Sequence, residues 1–389
     1  MGTDRLRLVV LGMMGRSPFG GQTWLYLNWL VGLCRLGHDV WYIEDDAAWP
    51  YDPEENALTN GGYAVRHIYR VLRHVGMEDR WAFRLSSQWG RCEGPVSDRI
   101  DELYRSSDAL LNIVGATRIR KRHRAAPFRV VVETDPVIGE LLRATRDRVA
   151  IAMYESHHAM ATYGENYGAP DCGVPVDGMS YVTTRQPIDL DFWRPVYTPD
   201  APYFTTIGNY RQPGNDVVYQ GERYRWSKHH EWERFIDLPR ATPQQFQLAL
   251  YAKPHDVSHL REHGWNVVPT VPMSLDVFGA YPDYIRGSRA EFTVAKDQNV
   301  RLRSGWFSER DVCYLASGKP VIAQDTGFGN VLPTGEGLFA FTTLDEAVAA
   351  IEAINHDYKR HCRAARAIAE EYFAAEKVAA KLLASIGLA

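Results

Sequence analysis

The 389-residue chain has little cysteine and no useful arrangement of it: Cys34, Cys92, Cys172, Cys313 and Cys362 are scattered, odd in number, and form no C-x-x-C pair. A disulfide framework and a cysteine-built zinc site are excluded, and reduced thiols in a cytoplasmic protein are expected. Long apolar runs are lacking too. The most apolar stretch, residues 23–36, is interrupted by Asn28 and falls short of the ~20 residues of a membrane span. Residues 8–14 are followed by glycines and Arg16 rather than by a small-residue cleavage site, so neither a secretory signal nor an integral membrane contact is expected. An excess of positive charge is also missing: 44 Lys and Arg against 48 Asp and Glu leave a net charge of −4. Without a whole-molecule basic field no nucleic-acid partner is expected, and a small-molecule partner is.

What is present is alternation. Residues 6–11 form a continuous apolar run suited to a buried parallel strand, followed by a glycine loop, a buried helix over residues 24–36 that Gly37 can close, and a strand at 40–43. Further strands are expected at 81–85, 109–114, 128–132, 149–153 and 181–184. After a proline-punctuated stretch a second alternation begins, with strands at 203–207, 246–251, 265–268, 291–295 and 320–323 and helices between them. The predicted fold class is therefore α/β, two doubly wound Rossmann-like domains facing across a cleft. Their expected bounds are 1–195 and 203–372. The final helix carries an apolar stripe that ends near Phe373 and resumes at Val378, Leu382 and Leu383, so residues 373–389 are expected to cross back to the first domain.

Doubly wound sheets collect ligands outside the carboxyl ends of their strands, where helix N-termini also point. Three segments fall there. Gly20-Gly21 opens the first helix, where a glycine pair lets backbone amides approach an anion, although G-x-G-x-x-G spacing is absent and a plain tight turn reads as well. The loop Arg303, Ser304, Gly305, Trp306, Phe307 and Ser308 leads into a helix bearing Arg310, and Asp325, Thr326, Gly327 and Gly329 form the next such loop. Arginines beside helix-start amides suit a diphosphate. A base facing the cleft would be a carboxylate or imidazole at a strand end; the candidates, in order, are Asp135, His158, His157 and Glu133. Asp135-Pro136 also reads as a helix start. The acidic residues Glu44, Asp45, Asp189 and Asp191 lack oxygen-ligand spacing and are expected to be solvated, leaving no metal site. The basic segment from Arg118 to Arg124 could make a peripheral anionic contact, or be a solvated face.

The run L-A-S-G-K-P-V-I-A-Q-D-T-G over residues 315–327, with G-E-G-L ending at Leu338, resembles the donor-binding domain of GT-B glycosyltransferases. The wording is closest to the family-4-like group related to spore-maturation-protein glycosyltransferases. Gly20-Gly21, G-H-D-V over residues 37–40, Tyr163-Gly164-Glu165-Asn166 and the stretch from Gly168 to Cys172 resemble that group as well. The resemblance implies a nucleoside-diphosphate sugar held as donor substrate by the second domain, a small-molecule acceptor on the first, hexosyl transfer, and neither resident cofactor nor metal. It implies that Lys228 faces the donor phosphates and matches Arg310 to an arginine of the group. Two glutamates usual in the retaining pattern are missing, their places taken by Gly305 and Cys313. A nucleotide-sugar epimerase or hydrolase of the same fold, or a non-catalytic sugar-nucleotide-binding protein, stays open as an alternative.

Overall fold

The computed structural model describes residues 5–47, 49–85 and 91–388. Its first sheet is built around Arg7–Leu11, whose Leu8, Val9, Val10 and Leu11 are all fully buried, as a strand covered on both faces must be. On one side follow Asp39–Ala47, Trp81–Leu85 and the short antiparallel Cys92–Glu93. On the other side follow Ala109–Ile113, Phe128–Glu133, Ala159–Thr162 and Val182–Thr183, all parallel. The second sheet is wholly parallel. It is centred on Tyr203–Asn209, with Gln245–Tyr251 and Asn266–Pro269 to one side and Ala290–Thr293, Val321–Gln324 and Leu338–Phe341 to the other. Strand order reverses beside the first strand of each sheet, and these two switch points are where a doubly wound fold opens a crevice.

One expected strand is a helix. Residues 149–153 lie in Arg148–Glu155, because the Asp147 side chain caps that helix by accepting from the amides of Val149 and Ala150, both at 2.9 Å. The apolar run does not serve as core, since Val149 is 77% exposed. The strand itself comes later, at Ala159–Thr162.

The helix Glu309–Ala316 starts as its sequence demands. Ser308 accepts from the Arg310 amide, Asp311 reaches back to the Ser308 amide, and Gly318, at φ +70°, follows the helix end. Its placement fixes the entrance to the second sheet's crevice.

The chain crosses between the two sheets twice, and the crossings touch: the Ile188 amide donates to Phe373 O at 2.8 Å, and the Ala375 amide to Ile188 O at 3.0 Å. Beyond them the helix Ala375–Ser385 buries Val378, Ala379, Leu382 and Leu383 against the first helix, Gly20–Arg35. Contact there is so close that a β-carbon on Gly32 would lie 2.5 Å from the Ala375 carbonyl oxygen. Among the described residues no helix is long and apolar enough to cross a membrane.

Candidate functional site

The carboxyl edges of the two sheets face each other, and a few side chains join them. Asp135 leaves the end of Phe128–Glu133, and Lys296 leaves the end of Ala290–Thr293. Their side chains form an ion pair across the cleft. Lys296 is 4% exposed and its ammonium also lies 3.1 Å from the centroid of the Trp226 ring. Burial lowers its pKa, and Asp135 opposes that shift. The second oxygen of Asp135, Oδ1, is buried without a partner among the described residues.

Beside this pair, Trp306 donates from Nε1 to Thr134 O at 3.0 Å, and the Lys228 ammonium stands 5.2 Å from the Trp306 ring centroid. Burial, then Arg310, lowers Lys228 to about 7. Desolvation here outweighs the nearby carboxylates Asp311 and Glu291. A cavity of about 10 Å³, lined in part by Thr293, Trp306, Asp311, Gln324 and Phe328, lies alongside. It is smaller than the roughly 300–1,000 Å³ of small-molecule sites.

Arg310 lies at the second switch point, but its guanidinium is committed inward. It bonds Glu291 Oε1 at 2.6 Å, Thr293 Oγ1 at 2.9 Å and the Ile207 carbonyl, tying the two central strands together at their carboxyl ends. Arg303 is likewise occupied, at φ +48° and with 2.7 Å contacts to both Asp171 and Asp325.

Most of the two glycine loops form a joint between the lobes rather than an open cradle. Gly305 has φ +79°, its amide donates to Thr326 O at 2.7 Å, and a β-carbon would lie 2.4 Å from the Asn166 amide nitrogen. Gly327, at φ +91°, is pressed to 2.8 Å against Asn166 Nδ2 on the same measure. Asn166 thus sits between two glycines of the opposite lobe, a reason for Gly305 where the family pattern has glutamate. Cys313, at the second such place, is 1% exposed within the core. Ser304 is buried on Asn299 at 2.8 Å, and Thr326 Oγ1 donates to Trp306 O at 2.6 Å. Of the described residues in these two loops, only Trp306, Phe307 and Phe328 face the cavity. A β-carbon on Gly329 would have ordinary contacts. Gly20 and Gly21 also serve packing: a Gly20 β-carbon would meet the Tyr281 ring at 2.6 Å, so the pair admits the helix Ala280–Gly287 rather than presenting free amides.

Two base candidates, His158 and His157, are corrected by position. His158 precedes the strand Ala159–Thr162, which puts it on the amino edge, stacked on Phe128 and accepting from the Arg129 amide at 3.0 Å. His157 is bonded to Met153 O at 2.7 Å and to Asn112 at 3.1 Å, and burial lowers it to about 4. Both follow from the helix that replaces the expected strand before them. Glu133 is on the right edge, but burial and then Glu140 push its pKa well above the carboxylate range, and it accepts from Thr162 Oγ1 at 3.0 Å and Tyr154 Oη at 3.2 Å. Asp135 alone of the four reaches the cleft.

Of the acidic residues expected in solvent, Glu44, Asp45 and Asp189 are interior, while Asp191 is exposed. Glu44 accepts from the Gly15 amide at 2.5 Å and from Tyr42 Oη at 2.7 Å, while Asp45 holds His123 and Tyr104, each at 2.9 Å. Asp189 and Asp191 pair with Arg35. The His123–Asp45 bond pins the basic segment to the sheet and leaves Arg118, Arg120, Lys121 and Arg124 exposed. Among the described residues no group of three or more His, Cys, Asp or Glu could hold a metal ion. Lys296, Trp226, Asn166 and Glu140 are the residues that sequence reasoning missed. Two of them carried a signal: Lys296 by its place just after the strand run that ends at Ala295, and Asn166 as the last residue of the Tyr163-Gly164-Glu165-Asn166 motif.

No protein-family model matches the chain, and no curated protein matches it in sequence. Solved structures do match, along nearly its whole length. HepE of Anabaena, in complex with UDP and glucose, aligns at a TM-score of 0.59 and 12% identity, over 98% of this chain and 100% of that one. Sucrose-phosphate synthase of Thermosynechococcus elongatus aligns at 0.55 and 12%, over 97% of each chain. An alpha-glucosyltransferase in complex with UDP and a 13-mer DNA aligns at 0.60 and 10%, over 99% of this chain and 100% of that one. At such identities the likeness is one of fold, and the fold of this chain is the two-sheet GT-B fold of those glycosyltransferases.

Proposed function

We propose that the chain is a metal-independent glycosyltransferase of the family-4-like, spore-maturation-related group, moving a hexosyl unit from a nucleoside-diphosphate sugar to a hydroxyl of a small-molecule acceptor. The observation that carries this reading is the convergence of Asp135 from one sheet edge with Lys296, Lys228 and Trp306 from the other. A sugar transfer needs positive charge where the diphosphate leaves and a proton acceptor or orienter where the hydroxyl attacks. Lys228 and Lys296 supply the charge. Lys228 has no ion-pair partner among the described residues, and Lys296 has only Asp135. A diphosphate arriving at Lys296 competes with Asp135 and frees that carboxylate to face the acceptor. Arg310 acts one step back, holding the strand ends between which the phosphates lie.

Uridine is the first nucleoside to test, because fold neighbours include HepE in complex with UDP-glucose. The experiment is calorimetric titration of UDP, GDP and ADP, followed by a search for nucleotide release from the matching sugar donor in the presence of candidate acceptors. Binding of at least one nucleoside diphosphate, weakened at least tenfold by Lys228→Gln, supports the reading. Absence of binding by all three overturns it.

A further inference from the structure

Away from the cleft, a cavity of about 450 Å³ opens where the interdomain linker meets the returning helix Tyr358–Ile368. One wall is Pro195, Val196 and Tyr197, the floor is Gly318 and Cys362, and the other wall is the helix face of Lys359, Arg363 and Ala367. Its volume falls within the range of small-molecule sites. Two large apolar side chains of the linker are left in the open, Val196 at 39% and Tyr197 at 51% exposed. The linker is nevertheless fixed, for the Val196 amide donates to Ser317 O at 3.0 Å and Arg366 donates to Trp193 O and Ala316 O at 2.7 and 2.8 Å. The cavity is therefore a preformed feature with rigid walls.

Charge distinguishes it from an ordinary surface hollow. Among the described residues Lys359 and Arg363 have neither an ion pair nor a side-chain hydrogen bond. A third cation lies behind the floor: Lys319 is fully buried next to Gly318, and its ammonium is bonded to Thr198 Oγ1 at 2.6 Å without any carboxylate. Burial lowers Lys319 to about 8, a strain that a nearby anion relieves. The one carboxylate on the lining, Glu370, is already held by Arg366 at 2.6 Å. An apolar trough with unpaired cations at hand matches a molecule with an apolar body and a concentrated negative head. A phosphate monoester, at about −1.5 to −2 charges, matches two rim cations better than a carboxylate does.

We propose that this cavity binds an amphipathic phosphate monoester, its apolar body against Val196, Tyr197 and Ala367 and its phosphate between Lys359 and Arg363. Such a ligand bridges the interdomain linker and the helix Tyr358–Ile368, which precedes the return crossing. The site is separate from the cleft and does not depend on the proposed sugar transfer.

The test is calorimetric titration of the full chain with octyl phosphate below its micelle concentration, alongside octanoate, octanol and inorganic phosphate. Octyl phosphate is expected to bind at least tenfold more tightly than the other three. The double variant Lys359→Gln/Arg363→Gln, both positions being exposed, should lose at least tenfold of that affinity, and Ala367→Trp, which fills the trough, should lose a similar factor. Lys228→Gln should leave it unchanged, since that variant touches only the cleft. Equal binding of octanol or octanoate, full affinity in the double variant, dependence on Lys228, or no binding by octyl phosphate would each overturn the proposal.

Discussion

Lys296 reaches across the cleft to Asp135, and this pair joins the two sheets at the edges where a doubly wound fold holds its ligands. Lys296 is almost wholly buried and Asp135 a third exposed, so the pair is asymmetric in what its loss costs. Lys296→Met should destabilise by on the order of 2 kcal/mol, below the ~3–5 kcal/mol of a fully buried pair because water screens Asp135. Asp135→Asn keeps the shape and removes the charge. It should reduce turnover far more than donor affinity, and paired kcat and KM measurements on the two variants will check the split.

Arg310 makes the opposite kind of prediction. Burial raises the pKa of Glu291 even with Arg310 beside it, and removing the guanidinium leaves Glu291 Oε1, Thr293 Oγ1 and the Ile207 carbonyl without their shared donor. Arg310→Ala should cost about 3–5 kcal/mol in urea unfolding, and Arg310→Met combined with Glu291→Leu should recover most of it. A stable, well-folded single variant with weakened nucleotide binding would instead put the arginine in direct contact with phosphate.

The alternation of strands and helices was legible because parallel strands buried on both faces leave continuous apolar runs, as Arg7–Leu11 and Val321–Gln324 do. It failed at residues 149–153, where five apolar residues are too few to separate strand from helix and the decision lay with the Asp147 cap outside the run. That one error moved His157 and His158 to the wrong edge. The capping box at Ser308 and Asp311 made the start of the helix that carries Arg310 legible, but position alone does not reveal an acidic partner on another strand. Asn166 was visible as part of a motif, and its docking between Gly305 and Gly327 required two loops from the other lobe that no local pattern specifies.

Lys228 gives a pH signature. Its folded pKa of about 7 lies below the ordinary lysine value near 10.5, so between these the unfolded chain binds the extra proton and stability from this group rises with pH. Anion binding runs the other way. A nucleoside diphosphate favours the ammonium, so binding at about pH 8 should take up close to one proton, visible as a buffer-dependent enthalpy. Lys228→Arg keeps its charge throughout and should abolish that uptake.

Glu133 offers a second one. Burial and Glu140 raise its folded pKa, so as pH rises past the ordinary value near 4.5 the unfolded chain releases a proton that the native state keeps, and stability falls with pH over that span. Glu133→Gln mimics the protonated form and can still accept from Thr162. The variant should be more stable than the parent at about pH 8 and nearly equal to it at about pH 4, as parallel denaturant titrations will measure. Greater loss of activity than of stability in Glu133→Gln would return this residue to the list of bases.

The terminal helix is held by close packing at one end and apolar burial at the other. At Gly32 the Ala375 carbonyl occupies the space any side chain would need, so Gly32→Val should push the start of Ala375–Ser385 off the first helix. Leu382, 1% exposed, should cost about 2–5 kcal/mol as Leu382→Ala, since the rigid partner helix cannot collapse around the void. The two changes act at different ends of one contact. Leu382→Ala should lower stability while leaving the scattering radius unchanged, because the helix start remains tethered beside Ile188. Gly32→Val strikes that tether, and should therefore enlarge the radius as well, with the lobes freed to swing about the paired crossings. An unchanged radius in both variants, with stability reduced alike, would show that the Ile188–Phe373 pairing holds the lobes without help from the helix.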